Sequence, residues 1–206
     1  MRTYLLAIAM TVILALGVSA QASITGAECA NDGDGAIDCL GSWDANTYEM
    51  TINGNQFTSP GHMVGEFTTD TEEDPNVTMI NFVDNDTTFA WDEYVVNVYM
   101  NKTFTLSNGL VYAPSGWSTG LTQPLVAPST IYDADGHLWS HMGTVHYTGG
   151  PSVPNNGSSL SFGFKMSFVG GVQFEEEMIP MPEPATLALL GLGGLALLRR
   201  KRGYGG

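Results

Sequence analysis

Positive charge is almost missing from the middle of this chain. Of seven Lys and Arg residues only Lys102 and Lys165 lie in the body. All the Asp and Glu residues except Glu183 lie there, 20 of 21. So acidic a body excludes nonspecific binding to nucleic acid or anionic lipid, which needs a basic surface. Cysteine is equally scarce. With Cys29 and Cys39 alone, no disulfide scaffold can carry the fold, and a hydrophobic core must. No HExxH, Gly-x-Ser-x-Gly, Ser-x-x-Lys or phosphate-cradling motif occurs, which removes the usual signatures of metalloprotease, esterase, acyl-serine and nucleotide chemistry. No repeat of 20–50 residues suggests a propeller or solenoid. Helical periodicity is missing as well between Ser23 and Pro180.

What the body does have is alternation with period two. Leu160, Phe162, Phe164, Met166 and Phe168 alternate with Ser161, Gly163, Lys165 and Ser167, as a half-buried strand requires. Gly170-Gly171 then suggests a turn with Val172 to Met178 as hairpin partner. Asn53-Gly54, Ser107-Asn108-Gly109 and Asp133-Ala134-Asp135-Gly136 mark further hairpin turns. Two Pro/Gly/Ser-rich stretches, 113–129 and 149–158, read as loops. The expectation is an all-β single domain over residues 23–179, an antiparallel β-sandwich or jelly roll of eight to ten short strands. Glu175-Glu176-Glu177 and the prolines that follow read as an exposed stalk.

The two ends differ from the body. Arg2, the apolar run Leu5 to Val18 and Ala20-Gln21-Ala22 form a secretory signal peptide over residues 1–22, with a mature start at Ser23. On export, Cys29 and Cys39 are expected to pair as a disulfide. At the other end Pro182-Glu183-Pro184 precedes the apolar run Ala185 to Leu198 and the basic cluster Arg199-Arg200-Lys201-Arg202. As a helix, fourteen apolar residues cover ~21 Å of a hydrocarbon core of roughly 30 Å, a weak hold on a membrane. The basic cluster places that end in the cytoplasm and the body outside.

This tail, residues 180–206 with its proline triplet, hydrophobic helix and basic cluster, resembles the PEP-CTERM sorting signal of bacterial exported proteins. The resemblance implies an exosortase-type membrane protease as partner, membrane anchoring by the C-terminal helix before processing, and delivery to the cell surface or an exopolysaccharide matrix.

Site candidates in the body are few. Asn31-Asp32-Gly33-Asp34-Gly35-Ala36-Ile37-Asp38 is similar to the Asp-Gly loops of exported calcium-binding repeats. With Gly35 at the sixth position of an EF-hand-type loop, Asp32, Asp34 and Asp38 fall at the third, fifth and ninth. The first and twelfth, Ala30 and Gly41, lack a carboxylate. The alternative is a plain Asp/Gly turn. Trp117, in a Pro-Ser-Gly loop, is the candidate for stacking on sugar. His62, His137, His141 and His146 show no metal-ligand spacing and read as ordinary surface or turn residues. The leading expectation is therefore an exported, non-catalytic surface or matrix protein without a required cofactor. A calcium-dependent carbohydrate-binding or adhesive module is the alternative, and a surface glycan hydrolase using two carboxylates comes third.

Overall fold

Strand β10 (Ser158–Phe168) shows how the sequence builds the sheet. Its Leu160, Phe162, Phe164, Met166 and Phe168 are all buried, and Lys165 between them is exposed. Ten more strands follow the same logic. They are β1 (Ile24–Asn31), β2 (Ile37–Asp44), β3 (Glu49–Gln56), β4 (Gly61–Thr69), β5 (Asn76–Asn85), β6 (Trp91–Met100), β7 (Phe104–Tyr112), β8 (Ser118–Tyr132), β9 (Leu138–Val153) and β11 (Val172–Met181). The computed structural model describes residues 22–182, and of 108–112 and 125–130 the backbone only. Residues 1–21 of the signal peptide, the C-terminal hydrophobic helix and the residues Glu183, Pro184, Arg199, Arg200, Lys201 and Arg202 lie outside the described residues. Among those described no helix is long and apolar enough to cross a membrane.

All eleven strands join in one sheet, in the order β7-β10-β5-β3-β2-β1-β4-β11-β6-β9-β8. Where an antiparallel sandwich was expected, the sheet is continuous, curled and mixed, because β3 and β5 run parallel. Its two halves face each other. Phe67 of β4 stacks on Phe168 of β10, ring centroids 5.4 Å apart, although several strands separate them in the ladder. Tyr94 of β6 and Tyr147 of β9 meet Phe162 of β10 at 4.8 and 5.1 Å. Aromatic contacts of this kind stabilise beyond the area they bury. The outermost strands also meet: the Leu106 amide donates to Gln123 Oε1 at 3.0 Å, and Gln123 Nε2 donates to the Leu106 carbonyl. One side chain thus replaces a missing rung between β7 and β8.

Several local expectations change. Asn53-Gly54 makes no turn. It lies inside β3, where a Cβ on Gly54 would sit 2.6 Å from Cys39 Cβ. Ser107-Asn108-Gly109 lies inside β7, and the β10–β7 pairing shifts register there. Strands β8 and β9 occupy much of the two stretches expected as loops. Strand β11 pairs with β4 and β6, not with β10. The Glu175-Glu176-Glu177 segment is no stalk: all three are buried, at 1%, 0% and 5% exposure. The sheet continues to Met181, into the stretch assigned to the tail, so Pro182 follows the fold directly.

Cys29 and Cys39 are both buried free thiols, not a disulfide. Ala30 stands opposite Leu40 in the β1–β2 ladder, which sets Cys29 opposite Gly41 and displaces Cys39 by two residues. Diagonal positions lie ~7–8 Å apart at Cα, beyond the usual disulfide span. Burial raises both thiol pKa values, that of Cys39 to about 12, so neither ionises readily.

Candidate functional site

The outer face of the central strands carries a row of polar residues directly opposite one another. His62 on β4 faces Glu177 on β11, Glu177 faces Asn97 on β6, and Asn97 faces Thr144 on β9. The row is hydrogen-bonded from Thr144 to Glu177. Thr144 Oγ1 donates to Asn97 Oδ1 at 2.9 Å, and Asn97 Nδ2 donates to Glu177 Oε2 at 2.6 Å. Tyr99 OH donates to the same oxygen at 3.0 Å. Glu177 Oε1 then lies 3.5 Å from His62 Nε2.

Three acids from two loops close over the far side of His62. Its Nδ1 lies 2.8 Å from Asp135 Oδ2, 3.7 Å from Asp32 Oδ2 and 3.9 Å from Asp34 Oδ2. Asp32 and Asp34 belong to the β1–β2 loop. Gly33 and Gly35 hold φ of +91° and +83° there, a conformation that favours glycine. The loop ties down one oxygen of each acid: Asp32 Oδ1 accepts from the Asp34 amide at 3.1 Å, and Asp34 Oδ1 from the Ala36 amide at 2.7 Å. Each Oδ2 is left facing His62. Asp135 comes from the β8–β9 turn, where Gly136 has φ +86°. That hairpin runs beyond Met100 of β6, which pairs with His141, so its turn covers β11.

A second acid group lies beside the first. Asp133 accepts from the His137 amide and from Trp139 Nε1, both at 2.8 Å. His137 Nδ1 lies 3.2 Å from Asp133 and 3.7 Å from Glu175. Burial, and then the Asp133 charge, push the Glu175 carboxyl up to about 8; against burial, Asp133 is held below the usual range by its bonds to Trp139 and His137. The Glu177 carboxylate holds the His62 imidazolium up to about 9 against the opposing effect of burial. Glu177 is itself held low, since His62, Asn97 and Tyr99 outweigh its desolvation.

Of the acids singled out in the sequence, Asp32 and Asp34 join this site and Asp38 does not. Asp38 projects from β2 and accepts from Asn31 Nδ2 at 3.3 Å. Trp117 offers no stacking platform, being only 8% exposed and so close to Gly150 that a Cβ there would overlap its ring. His62, Asp135, Glu175 and Glu177 are absent from the sequence-based candidates. The signal for His62 was weak, since its partners stand 28 and 30 residues upstream and 73 downstream (62 − 34, 62 − 32 and 135 − 62). Beside the site an open cleft of about 870 Å³ is lined by Leu40, Val64, Leu138, Trp139 and Glu175.

The chain end is decided by a different observation. Residues 182–202 match the family model of the PEP-CTERM protein-sorting motif. The tail is a PEP-CTERM sorting motif. Its first residue, Pro182, is the residue after β11, so the motif hangs from the strand that carries Glu175 and Glu177. No curated protein and no solved structure matches the chain.

Proposed function

We propose that this chain is an exported, non-catalytic passenger that an exosortase-type protease releases from the membrane to the cell surface or exopolysaccharide matrix. The observation that carries this reading is the PEP-CTERM motif at residues 182–202, attached without a linker to the last strand of a curled β-sheet. Three carboxylates of the body, Asp133, Glu175 and Glu177, support a structural role. Asp133 and Glu177 each accept two hydrogen bonds from neighbouring groups of the fold, and Glu175 is 1% exposed. Deleting residues 182–202 tests the reading: the shortened protein moves to a different cell fraction, and unchanged surface or matrix location contradicts it.

One observation favours carbohydrate binding as a second reading. The cleft places Trp139 beside the exposed Leu40 and Leu138, an aromatic and apolar wall of the kind a sugar face stacks on. Trp139→Ala should then abolish retention on the host's exopolysaccharide, and equal retention of both proteins rules this out.

A further inference from the structure

We propose that Asp32, Asp34, His62 and Asp135 bind one divalent transition-metal ion of the zinc class, which clamps the β1–β2 loop and the β8–β9 turn onto β4.

The first ground is convergence. One ligand atom from each residue lies within 4.8 Å of all the others. Ligands at about 2.0–2.2 Å from a zinc ion stand roughly 3–4.4 Å from one another, so the four atoms span about one coordination shell. The second ground is the histidine itself. His62 is 2% exposed, and neither of its ring nitrogens has a hydrogen-bond partner. Its Nδ1 stands 2.8 Å from Asp135 Oδ2 and 3.7 and 3.9 Å from Asp32 and Asp34 Oδ2, yet it is aligned for a hydrogen bond with none of them, an arrangement buried polar atoms ordinarily avoid. An ion among the four atoms gives that nitrogen its partner.

Behind the ring stands Glu177, which Asn97 and Tyr99 hold in place. A carboxylate behind a histidine orients it as a ligand by accepting a hydrogen bond from the other ring N–H, and the incoming ion displaces the Nδ1 proton to solvent. Here that leaves Nδ1 for the ion. The loop hydrogen bonds of Asp32 and Asp34 act likewise, holding one oxygen and freeing the other. Asp34 and Asp135 are each 37% exposed, which leaves an entrance and room for water.

The donor set decides the class of ion. Calcium takes six to eight oxygen ligands. One imidazole with three carboxylates suits zinc and its neighbours. The neighbouring group does not compete. His137 is 60% exposed, and Asp133 is already occupied by Trp139 and the His137 amide.

The test uses the full-length chain in mild detergent, stripped with chelator and titrated calorimetrically with zinc chloride and, separately, calcium chloride. Expected are one zinc site per chain, a zinc-dependent rise in the thermal midpoint, and weaker binding of calcium. His62→Gln and Asp135→Asn should each weaken zinc by about 100-fold or more, and Asp38→Asn should leave it unchanged. Asp135 sits on an exposed turn, so its variant remains informative if His62→Gln fails to fold. Absence of zinc binding, zinc affinity unchanged in Asp135→Asn, or calcium binding tighter than zinc overturns the proposal; the cluster is then an ion-pair knot around His62.

Discussion

His62 and Glu177 stand directly opposite each other on β4 and β11, with Nε2 3.5 Å from Oε1, and both are buried on the outer face of the sheet. A buried pair of this kind is costly to break from one side, because the remaining charge has lost its partner. Glu177 also accepts from Asn97 and Tyr99. Glu177→Ala should therefore destabilise by about 3–5 kcal/mol, and Asn97→Ala by about 1–2 kcal/mol. Urea unfolding midpoints of the two variants check the order.

Glu176 points the other way, into the core. It is fully buried, its carboxyl oxygens lack hydrogen-bond partners, and desolvation raises its pKa to about 8 despite the facing Asn81. A carboxyl raised in the folded state keeps its proton there after the unfolded chain has lost it. Its contribution is therefore most favourable below the unfolded value near 4.3 and is lost as pH rises toward 8. Between those values stability should fall by up to about 1.4 kcal/mol per pH unit from this group alone. Glu176→Gln should remove that slope in denaturant titrations from pH 5 to 8.

These three glutamates show what the sequence could and could not convey. Period two assigned β10 correctly, because Leu160 to Phe168 has one apolar face and one polar face. The same rule applied to 175–177 finds charge on both faces, and charge suggests solvent. Only the partner strands explain the burial. Asn97, Tyr99 and His62 receive Glu177 on one side, and the core encloses Glu176 on the other. Asn53-Gly54 is a strong hairpin signal, but the parallel neighbour β5 and the close approach of Cys39 hold it extended. The Asp32–Asp34 loop was visible as an oxygen-rich turn. His62 and Asp135 could not be joined to it without the strand order.

The seam between β7 and β8 is closed by the side chain of Gln123, bonded to both the amide and the carbonyl of Leu106. Gln123→Ala should cost about 1–2 kcal/mol and speed hydrogen exchange at the Leu106 amide more than at amides within β5. Uniform exchange across the two positions would show that the seam is held elsewhere.

Both cysteines are buried thiols with raised pKa values. The native protein should resist alkylation, and denaturation without reductant should release two reactive thiols per chain. Failure to find them after denaturation would indicate that β1 and β2 shift register to join Cys29 to Cys39.

Intact-mass spectrometry of the protein recovered from the surface fraction of its native host tests the central claim most directly. The sorting account predicts a chain that begins at Ser23, whose backbone nitrogen lies 2.8 Å from Asp70 Oδ1, and that ends close to the triplet Pro182 to Pro184. A surface protein that still carries residues 185–206 would contradict it.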